Sequence, residues 1–169
     1  MRRGRRLLIV NLLFLLLVTA CAQQTEAPAS LPDGALYLYY PDREKTTMTA
    51  VVYEPQADRS DAEAVVEEVA AALQTSPREK EHVAPISEDV VLREYHLEDG
   101  LLTLDFDVRY LDQDPATEVL TRAAIVLSFT GIDGVDHVMF LVSGTALMKN
   151  DTDPVGVMNA DSFVWSDLP

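Results

Sequence analysis

Leu101-Leu102-Thr103-Leu104-Asp105-Phe106-Asp107-Val108 alternates apolar and polar side chains from Leu102 onward, so Leu102, Leu104, Phe106 and Val108 share one face and Thr103, Asp105 and Asp107 the other. A period of two marks a half-buried strand. Upstream, Val90 to Leu97 is a second β-prone run, and Glu98-Asp99-Gly100 supplies the turn between the two. Downstream, Asp114 is placed to cap a helix whose first turn holds Pro115. Val119, Leu120, Ala123, Ala124, Val126 and Leu127 form the core side of that helix, and Gly131 stops it. Asp133-Gly134 then turns the chain into Val135 to Val142, an apolar strand.

The N-terminal half of the domain repeats the alternation of element types. Ala35 to Tyr40 is aromatic and β-prone, Met48 to Tyr53 is β-branched, and the polar Pro41-Asp42-Arg43-Glu44-Lys45 connects them. Ser60-Asp61-Ala62-Glu63 fits a capping box, with Ser60 accepting from a backbone amide and Glu63 reaching back. Ala62, Val65, Val66, Val69, Ala70 and Leu73 then make one apolar helical face, ended by Ser76-Pro77. Near the end of the sequence, Phe163-Val164-Trp165 reads as a short edge strand. The order ββαββαβ predicts an α+β fold, a mixed β-sheet with two helices packed on one face.

These segments resemble a known family. Leu36-Tyr37-Leu38-Tyr39-Tyr40-Pro41-Asp42, the helix end Ala72-Leu73-Gln74-Thr75-Ser76-Pro77 and the strand Leu101 to Phe106 are similar to the GerMN domain, the sporulation and spore germination domain. Ile125 to Thr130, Ile132-Asp133-Gly134-Val135 and Val138 to Gly144 resemble its second helix, turn and final core strand. The resemblance spans Ala35 to Asp161 in one copy. Ser76-Pro77 stands where the family usually has Gly-Pro, and Asp107 where it often has serine. The resemblance implies a non-enzymatic envelope role and a fold similar to the ring-building domains of sporulation secretion machinery. It also implies partners among other envelope or sporulation proteins, and a homo-oligomer, since rings are built by packing one face of a copy on a different face of the next.

The N-terminus carries an address. Met1 to Arg6 holds four arginines, Leu7 to Val18 is almost wholly apolar, and Val18-Thr19-Ala20-Cys21 looks like a bacterial lipobox. The apolar stretch, about 12 residues, is shorter than the roughly 20 a membrane helix needs, so residues 1–20 read as a lipoprotein signal peptide. Cys21, the one cysteine in the chain, is then the lipidation site and the first mature residue. Its acyl chains would hold the protein on the extracytoplasmic face of the cytoplasmic membrane. Residues 21–34 lack apolar periodicity and read as a flexible tether that spaces the domain, residues 35–169, roughly 20 Å from the bilayer.

Charge narrows the partners further. The chain has 13 basic and 28 acidic side chains, and its first 20 residues contain four arginines and no acid; the mature portion therefore has nine basic against 28 acidic, a net of −19. Such a surface repels polyanions, which excludes nucleic acid as a partner.

A search for chemistry returns ordinary structure. Asp105 and Asp107 lie two apart on one strand face, about 7 Å from one another, a spacing that paired carboxylates of glycosidases use, but no second motif accompanies them. His82, His96 and His137 are too scattered for a metal motif, and Ser143 in Leu-Val-Ser-Gly lacks the earlier glycine of a nucleophile elbow. Asp151-Thr152-Asp153-Pro154-Val155-Gly156 starts like a calcium loop but has Val155 and Ser162 where ligands are required, so it reads as a turn. The expectation is therefore no catalytic, metal-binding or cofactor-binding residue and no enzyme. Two functions remain open: a membrane-anchored assembly or scaffold lipoprotein, or a tethered binder of a small ligand or peptidoglycan fragment that stacks sugars on Tyr39, Tyr40, Tyr53, Tyr95 and Trp165.

Overall fold

The computed structural model describes residues 31–77 and 81–163. Residues 1–20, expected to be a signal peptide and including Val18, Thr19 and Ala20 of the expected lipobox, as well as Cys21, the expected tether up to residue 30, and Val164-Trp165 lie outside the described residues. Leu31 onward belongs to one unit with its own core.

The predicted succession is present. Strands β1 (Leu36–Pro41) and β2 (Met48–Tyr53) form an antiparallel hairpin, followed by helix α1 (Ala62–Leu73) and the antiparallel pair β3 (Leu92–Glu98) and β4 (Leu101–Phe106). Helix α2 (Pro115–Phe129) leads into β5 (His137–Val142), which runs parallel to β4 with Leu104 opposite Phe140. A parallel neighbour cannot be reached by a tight turn, so α2 is the crossover that the β4–β5 pairing demands. Two short strands, β6 (Thr145–Ala146) and β7 (Val157–Met158), share the other edge of β5. The sheet order β3-β4-β5-β6 is mixed, and with two α-helices among the described residues it has the α+β class that the alternation predicts.

The sheet is divided, however. β1 and β2 stand apart as a two-stranded sheet. The reason sits on α2: Ser128 accepts a hydrogen bond from the Tyr39 backbone N–H at 2.9 Å and donates its own hydroxyl hydrogen to the Ala124 carbonyl at 2.7 Å. A helix thus occupies the edge of β1 at which a further strand would pair. Because α2 packs against β1, β5 and α1, it is buried nearly all round, at Leu120, Thr121, Ala123 to Val126, Ser128 and Phe129. That is broader than the single stripe the sequence predicts, which omits Ile125 and Phe129 from the core and includes Val119, a residue that is 46% exposed.

Three local expectations need correction. Asp61, not Ser60, caps α1, accepting from Ala64 N at 3.1 Å; Ser60 gives both its amide and its hydroxyl hydrogens to Asp58 Oδ1. An aspartate two positions upstream captures the serine in a local turn and leaves the next carboxylate at the helix entrance. Val90 is buried in a turn before β3, its N–H bonded to Ser87 O. Val108 does not continue the core face of β4: it is 62% exposed, because the strand ends at Phe106 and a 3-10 turn over Val108–Asp112 reverses the chain. The core itself is the alternating run: Leu102, Leu104 and Phe106 are fully buried, and Phe106 stacks on Tyr110 and Phe140 with ring centroids 5.0 and 5.7 Å away.

Candidate docking groove

Where β4 stops, the side chains exchange roles. Asp107 Oδ1 accepts from Val91 N and Oδ2 from Arg109 Nε at 2.5 Å, while its carbonyl accepts from Tyr110 N at 3.1 Å. These bonds set the 3-10 turn so that Tyr110 swings inward and Val108 and Leu111 face out. The opposite wall comes from the chain after β6, where Leu147 N bonds Phe140 O and Val155 N bonds Leu147 O, leaving Met148 exposed between them.

Between these walls and the first half of α2 lies a cleft of about 430 Å³, lined by Tyr110, Leu111, Val119, Arg122 and Met148 among others. A second hollow of about 240 Å³ adjoins it, with Leu111, Leu147 and Met148 common to both and Val108 at its far side. Val108, Leu111, Val119 and Met148 are four of the seven large apolar residues exposed among the described residues, and all of them fall on this one groove. Scattered exposed apolar side chains need no explanation, whereas a contiguous set marks an interaction surface.

The groove has a polar floor that is internally satisfied. Tyr110 donates its phenol hydrogen to Glu118 Oε1 at 2.9 Å. Arg122 grips the same carboxylate with Nε at 2.9 Å and Nη2 at 3.1 Å, and its Nη1 lies 3.4 Å from Met158 Sδ. The side chains of Arg122 and Glu118 are only 11% and 18% exposed. Burial holds the Tyr110 phenol well above its ordinary pKa, and the charge and hydrogen bond of Glu118 add to the rise. A carboxylate saturated by three donors is a structural brace; the site offers apolar contact and a cation at its rim, Lys149, rather than a nucleophile and its base.

The residues weighed for chemistry are spent on structure. Asp105 accepts from Gly144 N and pairs with Arg93, so it and Asp107 both anchor turns, each beside an arginine. His82 Nε2 is 2.9 Å from Thr49 Oγ1 and His96 stands 3.6 Å from Glu98, while His137 opens β5, separated from the β3 histidine by the intervening strand β4. Ser143 sits at φ +50° in the tight turn before β6. The 151–156 segment is a turn organised by Asn150, whose Oδ1 accepts from Thr152 N and Asp153 N and whose Nδ2 reaches Asp153 Oδ2. Among the described residues no three His, Cys, Asp or Glu side chains converge as a metal site. Of the aromatics considered for sugar stacking, Tyr40 is buried, Tyr53 gives its hydroxyl to Glu68, and Tyr39 and Tyr95 are half-buried.

Sequence reasoning missed Tyr110, Leu111, Glu118, Arg122 and Met148. The signal for part of the floor was present in the i,i+4 spacing of Glu118 and Arg122. Extending the β4 alternation to Val108 concealed the rest.

Known structures share the fold. The first GerMN domain of the sporulation protein GerM from Bacillus subtilis superposes with a TM-score of 0.55 at 14% identity, over 72% of this chain and 93% of that one. A candidate lipoprotein from Clostridium perfringens gives 0.50 at 16% identity, over 80% and 95%. The tandem GerMN domains of the same Bacillus subtilis protein give 0.49 at 22%, over 74% of this chain and 45% of theirs. No curated protein matches the chain. Among the described residues no helix is long and apolar enough to cross a membrane. The family described as Germane, sporulation and spore germination, matches residues 37–148, more than half of the sequence, and the chain belongs to that family.

Proposed function

We propose that this chain is a non-enzymatic lipoprotein, anchored through Cys21 on the extracytoplasmic face of the cytoplasmic membrane, that docks other exported proteins during sporulation or germination. The observation that carries the reading is the continuous apolar groove of Val108, Leu111, Val119 and Met148 on a strongly acidic domain. It is suited to an apolar segment of a partner, because its floor is already neutralised and its rim carries Lys149. Family membership supplies the sporulation setting, and the Cys21 motif the anchor.

The test is in-cell crosslinking of tagged protein with mass spectrometry, in growing and starved cells, beside Cys21→Ser and Leu111→Lys. Exported proteins recovered in starvation, and lost in both variants, are expected. Recovery unchanged by Leu111→Lys would remove the groove from the reading, and recovery of background alone would remove docking. The tethered binder is the second reading, favoured by a cleft volume within the roughly 300–1,000 Å³ range of small-molecule sites. Co-sedimentation with peptidoglycan supports it, and absence from the pellet discards the cell-wall form.

A further inference from the structure

The last described residues run beside the groove. Val155 lines the cleft, β7 then pairs with β5, and Met158 Sδ stands 3.4 Å from Arg122 Nη1 on the groove floor. The 3-10 turn over Ala160–Ser162 packs on α2, the helix that walls the cleft, and Phe163 rests half-buried against the core. Val164-Trp165-Ser166-Asp167-Leu168-Pro169 follows, outside the described residues. Its reach is sufficient for a return. α2 has 15 residues, a length of about 22 Å, and Met158 meets it at Arg122, one turn from Val119. Val164 to Leu168 span up to about 17 Å when extended. The composition of this segment also matches the groove. Val164, Trp165 and Leu168 are large and apolar, Asp167 is its one charged side chain, and Trp165 is the one tryptophan of the chain. The groove offers four exposed apolar side chains and, at its rim, Lys149, an exposed cation with no ion pair among the described residues. Glu118 and Arg122 neutralise each other on the floor, so Lys149 is the charge left to be met. A chain of net −15 repels an aspartate from most of its surface, and a rim with an unanswered cation attracts it.

We propose that residues 164–168 fold back into the groove, with Trp165 anchored against Leu111, Val119 and Met148 and Asp167 paired with Lys149, so that the chain covers its own docking surface until a partner displaces the segment. Tryptophan supplies a large apolar surface at low entropic cost, which is why it so often anchors an interface. Attachment does the rest: a short connection holds the segment at roughly millimolar effective concentration, so a weak intrinsic affinity fills the groove. A partner then binds with an affinity reduced by the fraction of chains whose groove is open. The inference rests on the docking reading for the partner alone; occupancy by the segment is a property of the isolated chain.

Trp165 reports its own position. In the full chain on phosphatidylcholine vesicles, its emission should be blue-shifted and its quenching by acrylamide several-fold weaker than in the same chain unfolded in urea. Leu111→Lys and Met148→Lys, both at exposed positions and so at unchanged melting temperature, should each lower the ratio of covered to open groove by about tenfold or more. Val52→Lys, exposed on β2, should leave it unchanged. Lys149→Glu and Asp167→Lys should each lower it by about twofold to fivefold, and the double reversal should restore it. Trp165 fully open to acrylamide in the unaltered chain overturns the proposal. So does a protected Trp165 that ignores both groove variants, which would place it in an edge strand or in the bilayer, and so does a double reversal that restores nothing. If Trp165 responds as expected while crosslinking recovers no exported protein, the docking reading fails and the covering contact stands.

Discussion

Tyr53 and Tyr110 each donate a phenol hydrogen to a glutamate on a helix, at 2.6 Å to Glu68 on α1 and at 2.9 Å to Glu118 on α2, yet the two glutamates are held in opposite ways. Glu68 lies near the surface and takes its remaining bonds from the backbone, Gln56 N at 2.9 and 3.0 Å and Ala57 N at 2.8 Å. The Tyr53 bond, together with these amides, holds its carboxyl below the usual range. Glu118 lies under the groove, where amides are absent and Arg122 supplies the compensating charge. Burial pushes Tyr53 up to about 12, with the Glu68 bond adding, and pushes Tyr110 well above its ordinary value. The difference teaches that a carboxylate near water can be held by dipoles, whereas one enclosed by side chains needs a full countercharge.

The comparison breaks most visibly at the cation. Arg122→Met leaves Glu118 enclosed with Tyr110 alone, and we expect a loss of about 3 kcal/mol, or a fall of roughly 10 °C in melting temperature. Urea unfolding measures it. A loss below about 1 kcal/mol would place the pair among solvated surface bridges and remove the contrast between the two sites.

Tyr110→Phe sharpens the contrast at lower cost, about 1–2 kcal/mol near neutrality. The pH sign comes from the raised phenol. A native pKa above the unfolded value means the stabilisation is complete below about pH 10 and is lost as pH rises toward the native value. The variant should therefore lose less stability than the wild type between about pH 10 and 12, keeping the part that belongs to the other raised phenols, Tyr39, Tyr40, Tyr53 and Tyr95. Identical alkaline limbs would show that Tyr110 is hydrated in the native protein.

How far the sequence disclosed these sites depends on the range of the interactions. Local periodicity revealed β1, β2, α1, β4, α2 and β5, because alternation and a helical stripe are written in neighbouring residues. The separation of β1–β2 from the main sheet was not legible, since it turns on Ser128 meeting Tyr39 N, 89 residues apart in sequence. The groove was half legible. Glu118 and Arg122 are an i,i+4 pair, but Val108 and Met148 meet only because β4 ends before the alternation does and β6 brings the later chain back. An exposed valine and a buried one look alike in a strand pattern, and only the 3-10 turn separates them.

The smallest effect comes from the outer latch. Tyr53→Phe removes one bond of four on Glu68 and leaves the two amides, so the expected cost near pH 7 is about 0.5–1 kcal/mol, reduced by the exposure of the site. Its pH dependence distinguishes it from the inner pair. Glu68 titrates lower in the native state than unfolded, so its contribution is present above the unfolded value and disappears as pH falls through the native one. Losing the Tyr53 bond raises that native value, so the variant has less to lose and its acid decline ends at a higher pH than that of the wild type. The gap between them, measured by urea midpoints from about pH 7 to pH 3, should close as Glu68 protonates in both. A gap that stays constant would mean that the bond stabilises through packing of the Tyr53 ring against α1 rather than through the carboxylate, and the outer site would then resemble the inner one in mechanism.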